Sequence, residues 1–263
     1  MRGGAGVEFK LIPDSNGFLC IDVRVLSDDA TVQDYLDAFN LFQAEKVAPC
    51  DGCTNCCWER APLTAPDVIR YAAAIDGAFG DGHPLAGEQL SDAEERLPAF
   101  HIGGLPVLHN VDKPNYLRYA ALWFIREYGD IRRSAEADIY LKRLPGGSCV
   151  FLDLDKQCCR AYAQRPLVCQ TYVCLPSSPL AEALRGQIVN EGENELARQL
   201  GEAASALPDV LPDALPDVLP LLPEEAAAAW REYRSRGFGN KKTFAEVLIR
   251  EVVRDGLWDK LHT

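Results

Sequence analysis

The stretch Cys50-Asp51-Gly52-Cys53-Thr54-Asn55-Cys56-Cys57 places four thiols within eight residues, spaced C-x2-C-x2-C-C. A chain of 263 residues can bury a substantial core without cross-links, so cysteines at this density need a chemical reason. In a C-x2-C step the chain turns back far enough for both sulfurs to reach one centre. Thiolates select zinc, Cu(I) or iron–sulfur clusters over magnesium or calcium. The stretch therefore predicts a thiolate metal site.

A second group of cysteines lies between residues 149 and 174 and contains five of the chain's ten. Its first part, Ser148–Tyr162, reads as two short strands joined by a turn, so it predicts a hairpin with cysteines on both arms. Side chains of neighbouring residues tend to diverge, which makes it strained for both Cys56 and Cys57 to bind one tetrahedral ion. We therefore interpret the first group as one half of a split site that closes when the second group folds onto it. The predicted ligands are Cys50, Cys53, Cys56, Cys57, Cys149, Cys159, Cys169 and Cys174.

The eight thiols leave the kind of metal centre open. They are enough for two centres of four thiolates each, or for one 4Fe–4S cluster with the remaining cysteines as structural or redox thiols. Either centre is negatively charged, and Arg160 and Arg165 lie in the ligand segment as candidate counter-charges. A reversible disulfide switch is the least favoured alternative, because vicinal disulfides are strained. Cys20, in a predicted strand, is interpreted as a small buried hydrophobe.

The sequence around the cysteines predicts an α+β fold that is mostly helical and built around the metal centre. Strand formers at 7–11 and 18–25 predict an N-terminal strand pair. Apolar residues at helical spacing follow Thr31, a candidate N-cap, and Thr64-Ala65-Pro66-Asp67 begins a second helix just after the first cysteine group. The remaining predicted elements are helices at 114–128, 179–204, 224–235 and from Thr243 to Gly256, a short helix at 91–97 and a strand at 137–144.

Proline spacing divides the chain into four predicted parts. Residues 1–178 form a cysteine-cluster domain with an N-terminal extension, and 179–206 form a helix. Residues 207–223 repeat a Leu-Pro-Asp-Val/Ala unit, which forbids a regular helix and predicts a linker. A helical segment at 224–263 is expected to dock on the core.

Composition argues against several classes of partner. The net charge of −12 disfavours nucleic acid and anionic membranes. No run approaches the apolar length of a membrane span, and the N-terminus has no signal-peptide core, so we expect a cytoplasmic protein. His83, His101 and His109 stand alone and are interpreted as loop residues. Metal ions are the only partners that the sequence predicts.

The cysteine pattern resembles a known family. Cys50–Cys57, followed by Leu63-Thr64-x2-Asp67, resembles the CxxCxxCC family of zinc- or iron-chelating domains, the YkgJ-like cysteine-cluster proteins. The downstream residues Cys149-Val150-Phe151-Leu152 and Cys159-x2-Tyr162-x2-Arg165-Pro166-x2-Cys169 match the same pattern, so the resemblance covers roughly 48–176. Gln170 stands where the family usually has arginine, and Cys158 is an extra that the pattern does not require.

The resemblance implies a small α+β domain that binds zinc or an iron–sulfur centre, in most members without a defined activity. Flagellin lysine N-methylases resemble the same domain, so an iron–sulfur or zinc metalloenzyme is the alternative interpretation. The radical-SAM spacing C-x3-C-x2-C and a G-x-G-x-x-G turn are both missing from the sequence. Whether the chain is an enzyme stays open at this point.

Overall fold

The computed structural model describes residues 6–47, 54–77, 121, 124, 125, 127–131, 139–172, 174–206 and 235–262, with the backbone alone at 72–77 and 203–206. These residues form a mixed fold of helices and three two-stranded sheets, which confirms the predicted α+β class. The strands are β1 (Val7–Pro13), β2 (Leu19–Val25), β3 (Gly129–Ile131), β4 (Ile139–Leu141), β5 (Leu152–Asp153) and β6 (Cys158–Cys159). The helices are α1 (Val32–Lys46), α2 (Ala65–Gly77), α3 (Leu167–Gln170), α4 (Pro179–Ala206), α5 (Ile249–Val252) and α6 (Asp255–Leu261).

The predicted N-terminal strand pair is confirmed as the antiparallel hairpin β1–β2, in register from Val7↔Val25 to Pro13↔Leu19. Its turn contains Gly17 at φ 84°, a left-handed conformation that glycine adopts without a steric penalty. Cys20 is buried in β2, as expected of a small apolar residue.

Helix α1 begins where the sequence predicts. Thr31 is its N-cap in a capping box: the Asp34 N–H donates to Thr31 Oγ1, and the Thr31 N–H donates to Asp34 Oδ2. The buried face of the helix includes Tyr35, Leu36 and Phe39.

Helix α2 also begins as predicted. Of the apolar residues Val68, Ile69, Ala72 and Ile75, which predict its buried face, Val68 is buried and Ile69 is half-buried, while the side chains of the other two lie outside the described residues. Thr64, Asp67 and Tyr71 are buried as well and, together with Val68, have the i, i+3, i+4 and i+7 spacing of one helical face. Apolar periodicity missed two of them because Thr64 and Asp67 are polar and are buried through hydrogen bonds.

The predicted cysteine hairpin is confirmed in a shorter form. Strands β5 and β6 pair over only two residues each, Leu152↔Cys159 and Asp153↔Cys158. The described residues of the predicted helix at 114–128 are helical up to Tyr128, and the predicted strand at 137–144 contains β4, which pairs with β3.

The prediction of one continuous helix from Thr243 to Gly256 is wrong. Its capping box is present, with Glu246 accepting from the Thr243 N–H, but only a single 3-10 turn follows. Val247 and Leu248 are extended because this segment pairs with the start of α1: the Val32 N–H donates to the Val247 carbonyl at 2.8 Å. Helices α5 and α6 form beyond that pairing. Long-range backbone pairing therefore overrides the local helix signal.

The described residues form three buried clusters, and α4 packs into the two larger ones. The site core is grouped around Leu63, Val68, Tyr71, Phe124 and Phe151. The terminal core is grouped around Val23, Leu36, Leu184, Phe238 and Ile249. The first half of α4 contributes Ala181, Leu184 and Ile188 to the terminal core, whereas its second half contributes Leu196, Ala197 and Leu200 to the site core.

A buried carboxylate joins α4 to the segment 235–240. Glu195 is fully buried and accepts hydrogen bonds from Ser235 Oγ at 2.7 Å and from the Asn240 N–H at 3.0 Å. Arg198 and Gln199, on the same helix, also donate to it. Burial alone would raise the pKa of Glu195, but these donors outweigh it and lower the pKa. The carboxylate is therefore a stable ion that fixes the returning chain on α4.

A glycine sets the distance between α4 and α2. A Cβ atom on Gly192 would lie 2.6 Å from Thr64 Cγ2 and 2.7 Å from Thr64 Cβ, so Gly192→Ala must push the helices apart. We expect the variant to lose about 1–3 kcal/mol of unfolding free energy, which exceeds the gain of about 1 kcal/mol in helix propensity. Gly186, on the same helix, has no atom within 4 Å of its would-be Cβ. Urea denaturation should therefore show Gly186→Ala stabilised and Gly192→Ala destabilised; equal gains would contradict the close approach.

Several predictions fall outside the described residues. They are the short helix at 91–97, the loop histidines His83, His101 and His109, the proline-rich linker, the helix at 224–235, and the thiols Cys50 and Cys53. The division into four parts stays a prediction. Within the described residues, no helix has both the length and the apolar character of a bilayer span.

Candidate metal site

The backbone joins the two cysteine groups directly. Cys56 and Cys57 lie on a single 3-10 turn, Asn55–Trp58, just before α2. The Cys57 carbonyl accepts a hydrogen bond from the Cys149 N–H at 2.7 Å. The first group therefore meets the second at the start of the hairpin segment.

The other thiols of the second group divide between two environments. Cys149, Cys159 on β6 and Cys169 on α3 all pack against the site core. Cys158 precedes Cys159 in the same strand, and neighbouring strand residues point to opposite faces. Cys174, a predicted ligand, is exposed.

The neighbouring thiols of Cys56 and Cys57 share a hydrogen bond, which lowers the pKa of one thiol and raises the pKa of the other. The hydrogen bond from Cys57 lowers the pKa of Cys56 to about 6, and the Arg165 guanidinium lowers it further against the effect of burial. The same bond, together with burial, raises the pKa of Cys57. The pair therefore favours ionisation of Cys56 over ionisation of Cys57, and thiolates are the form that binds metal.

Burial raises the pKa of the three second-group thiols that pack against the site core. It raises the pKa of Cys149, raises that of Cys159 to about 11, and raises that of Cys169 well above its ordinary value. The negative charge of Cys56 raises all three further. Five thiols thus lie in one electrostatic neighbourhood, where ionising one opposes ionising the next unless a cation enters.

The thiols are near one another without closing into a coordination sphere. Among the side chains that the structure describes, no group of three or more His, Cys, Asp or Glu residues is arranged to hold a metal ion. Cys50 and Cys53 lie outside this part of the chain.

Cationic side chains surround the thiols. Arg165 stacks on the Tyr162 ring at 3.9 Å, and its charge favours ionisation of both Cys56 and Cys159. Arg143 acts in the same way on Cys149. Arg165 is therefore placed as the predicted counter-charge. Arg143 could not be singled out from the sequence, because it precedes the cysteine segment.

The charge of the other predicted counter-ion, Arg160, acts at Asp153 and Tyr128. Asp153 is the last residue of β5 and accepts hydrogen bonds from the Asp155 and Lys156 N–H groups of the hairpin turn. The charge of Arg160 therefore acts on residues of the hairpin and beside the site core, and no effect on a thiol is shown for it in the described residues.

Asp67 anchors the second cysteine group to the helix that follows the first. Its carboxylate is fully buried and accepts from Thr64 Oγ1 at 2.7 Å, from the Thr64 N–H at 3.1 Å and from the Leu167 N–H at 3.0 Å. Arg70 bridges Asp67 to the Arg165 carbonyl at 2.7 Å. Burial raises the pKa of Asp67, and Arg70 and the hydrogen bonds oppose that rise. Helix α3, which carries Cys169, is thereby fixed to α2.

Four buried polar atoms beside the site have no hydrogen-bond partner among the described residues: Arg70 Nε, Tyr71 Oη, Gln164 Oε1 and Arg165 Nε. Three of them are donors, and native proteins leave few buried polar groups unsatisfied. Donors that have no acceptor in the described part of the chain, close to thiols that repel one another's charge, fit an anionic thiolate centre. The residues present therefore suit a soft metal ion or an iron–sulfur cluster.

Tyr71 and the role of Asp67 were missed from the sequence. Tyr71 follows Asp67 by one helical turn, so the motif Thr64-x2-Asp67 could have been extended by four residues to reach it. What could not be predicted was the partner of Asp67, the Leu167 N–H, which is 100 residues away.

Comparison with known proteins supports metal binding. No curated protein and no solved structure matches the chain significantly. A family model does match, over residues 112–192, which include the whole second cysteine group and extend into α4. The match begins after Cys57, so the upstream part of the resemblance depends on the C-x2-C-x2-C-C motif itself. Residues 112–192 are thus similar to the CxxCxxCC family model, which is described as a putative zinc- or iron-chelating domain.

Proposed function

We propose that the chain is a metal-binding protein in which thiolates of both cysteine groups hold zinc or an iron–sulfur centre. The observation that carries the proposal is the meeting of the groups, through the hydrogen bond between the Cys149 N–H and the Cys57 carbonyl. Cys56, Cys57, Cys149, Cys159 and Cys169 would be ligands from the described part of the chain. Cys50, Cys53 and Cys174 complete the proposed set.

The surrounding residues support each requirement of such a centre. Arg165 and Arg143 offset the charge of the thiolates, and Asp67 holds α3 against α2. A bound metal would supply a cross-link between segments about 100 residues apart in sequence, and an iron–sulfur cluster would add electron transfer. The described cysteines are free thiols, which favours a reducing compartment, and we propose the cytoplasm.

Two adjacent cysteines provide a matched test of the ligand set. Cys159 packs against the site core, whereas Cys158 precedes it on the opposite face of β6. We expect Cys159→Ser to lose most of the bound metal and Cys158→Ser to keep it. Both proteins would be purified anaerobically, with metal, sulfide and visible absorption measured per chain.

The same measurement identifies the centre. Brown protein containing iron and sulfide indicates a cluster, and colourless protein containing zinc indicates a zinc site. Wild-type protein with neither metal would overturn the proposal. Full metal content in Cys159→Ser, or equal loss in both variants, would remove Cys159 from the ligand set.

A further inference from the structure

Residues 143–149 form a tight turn that leads from the end of β4 to the second cysteine group. The Leu144 N–H donates to the Ser148 carbonyl at 2.8 Å, so the backbone closes the turn on itself. Arg143 pairs with Cys149 across the turn, as antiparallel neighbours do in a sheet. Arg143 is therefore held opposite the first thiol of the second group.

The Arg143 guanidinium joins this turn to the first cysteine group. Its Nε–H donates to the Gly147 carbonyl at 2.6 Å, and its Nη2 group donates to the Trp58 carbonyl. Trp58 directly follows Cys57, whose carbonyl accepts from the Cys149 N–H at 2.7 Å. Two consecutive carbonyls at the end of the first group are therefore held by the turn, one by its backbone and one by this side chain.

A guanidinium suits this double contact. It is planar, and its N–H groups point in fixed directions from several nitrogens, so one side chain can donate to two carbonyls at once. A lysine ammonium has the same charge but lacks this fixed arrangement of donors. Arg143 is exposed, so the protein does not need it to fill the core. Its two hydrogen bonds are thus the main contribution that the structure assigns to the side chain.

We propose that Arg143 is a positioning residue that holds the two cysteine groups together before any metal binds. Its effect on metal binding rests on the proposed function, because it requires thiols of both groups to be ligands. A site that is already assembled loses less conformational freedom when its ligand binds, so Arg143 should raise metal affinity without contacting the metal. This role differs from that of a counter-charge, which needs only a positive charge near Cys149.

Arg143→Lys separates the two roles, because lysine keeps the charge and loses the double contact. Amide hydrogen exchange would be measured on the full-length, metal-free proteins, kept reduced in the presence of a chelator. The Cys149 amide reports on the junction directly, because it donates to the Cys57 carbonyl. We expect this amide to exchange about fivefold faster in Arg143→Lys and in Arg143→Ala, which corresponds to the net contribution of one hydrogen bond. The Ile188 amide, in α4, should keep its wild-type rate because the fold as a whole is unaffected.

Metal titration gives the second measurement. Zinc and Co(II) affinities, measured anaerobically in competition with a chromophoric chelator, should fall about tenfold in both Arg143 variants. Arg250→Lys is the matched control, since Arg250 is an exposed arginine of α5 whose side chain makes no hydrogen bond or ion pair in the described part of the chain. Its exchange rates and metal affinities should equal those of wild type.

Three results would overturn the inference. The first is a wild-type exchange rate at Cys149 in both Arg143 variants. The second is wild-type exchange and affinity in Arg143→Lys alone, because charge would then be sufficient. The third is an equal acceleration at Ile188, because Arg143 would then stabilise the whole fold and not the junction. A wild-type protein that binds neither zinc, Co(II) nor iron would contradict the proposed function instead, and the exchange rates of the metal-free proteins would still decide the role of Arg143.

Discussion

Asp67→Ala should lower the free energy of unfolding by about 3–5 kcal/mol, the typical cost of removing one partner of a buried ion pair. The substitution leaves the Thr64 N–H, the Thr64 hydroxyl and the Leu167 N–H without their acceptor inside the protein. It also removes the hydrogen bond that holds α3, which contains the proposed ligand Cys169, against α2. Metal affinity should therefore fall together with stability. Chemical denaturation measures the first effect, and metal competition measures the second.

Glu182→Ala is the matched control for this experiment. Glu182 pairs with Arg185 at the same i,i+3 spacing at which Asp67 pairs with Arg70, but its side chain is 61% exposed. We expect a change of no more than about 1 kcal/mol there. Hydrogen exchange adds a local readout, because the Leu167 amide should lose protection in Asp67→Ala and keep it in Glu182→Ala. Retained protection in both variants would contradict the anchoring role of Asp67.

Glu195→Ala should be similarly destabilising, by about 3 kcal/mol, because it removes the buried carboxylate to which four residues donate hydrogen bonds. The segment 235–240 would lose its anchor on α4, since both Ser235 and the Asn240 N–H donate to Glu195. Glu202 provides the control: it pairs with the same cation, Arg198, but is 50% exposed. Thermal or urea denaturation should show a loss below about 1 kcal/mol for Glu202→Ala. Equal losses in the two variants would mean that burial of Glu195 has no energetic consequence.

The pH dependence of the Glu195 contribution has a definite sign. Its pKa is lowered in the folded protein, so its contribution is complete above the unfolded value of about 4.3 and is lost as pH falls through the folded value. The stability difference between wild type and Glu195→Gln should therefore be constant from pH 7 to about 5 and shrink below that. The comparison cancels ionisations that both proteins share, including those of the cysteines. A difference that grows on acidification would contradict the lowered pKa.

Local signals in this chain could be predicted, and long-range ones could not. The capping boxes at Thr31–Asp34 and Thr243–Glu246 join residues only three positions apart in the sequence, and both are present. The prediction of a continuous C-terminal helix was wrong because the Val247 carbonyl accepts its hydrogen bond from the Val32 N–H, more than 200 residues away in the sequence. Propensity carries no information about such a partner.

The site follows the same division. The spacing of cysteines predicted a split site, and the structure brings Cys57 and Cys149 together. The exposure of Cys174 and the burial of Tyr71 depend on packing, which periodicity does not determine. Asp67 was noticed only as part of a helix start, whereas its carboxylate also fixes α3.

Helix α4 determines where this chain can be shortened. A fragment ending at residue 178 would keep all ten cysteines but would leave the site core and the terminal core without the helix that packs into them. Its exposed apolar faces would favour aggregation, and lost metal could then be mistaken for a missing ligand. A fragment ending at 206 would still lack Phe238 and Ile249 of the terminal core and the partners of Glu195. A protein expressed for metal-binding studies should therefore include all residues up to at least Leu261.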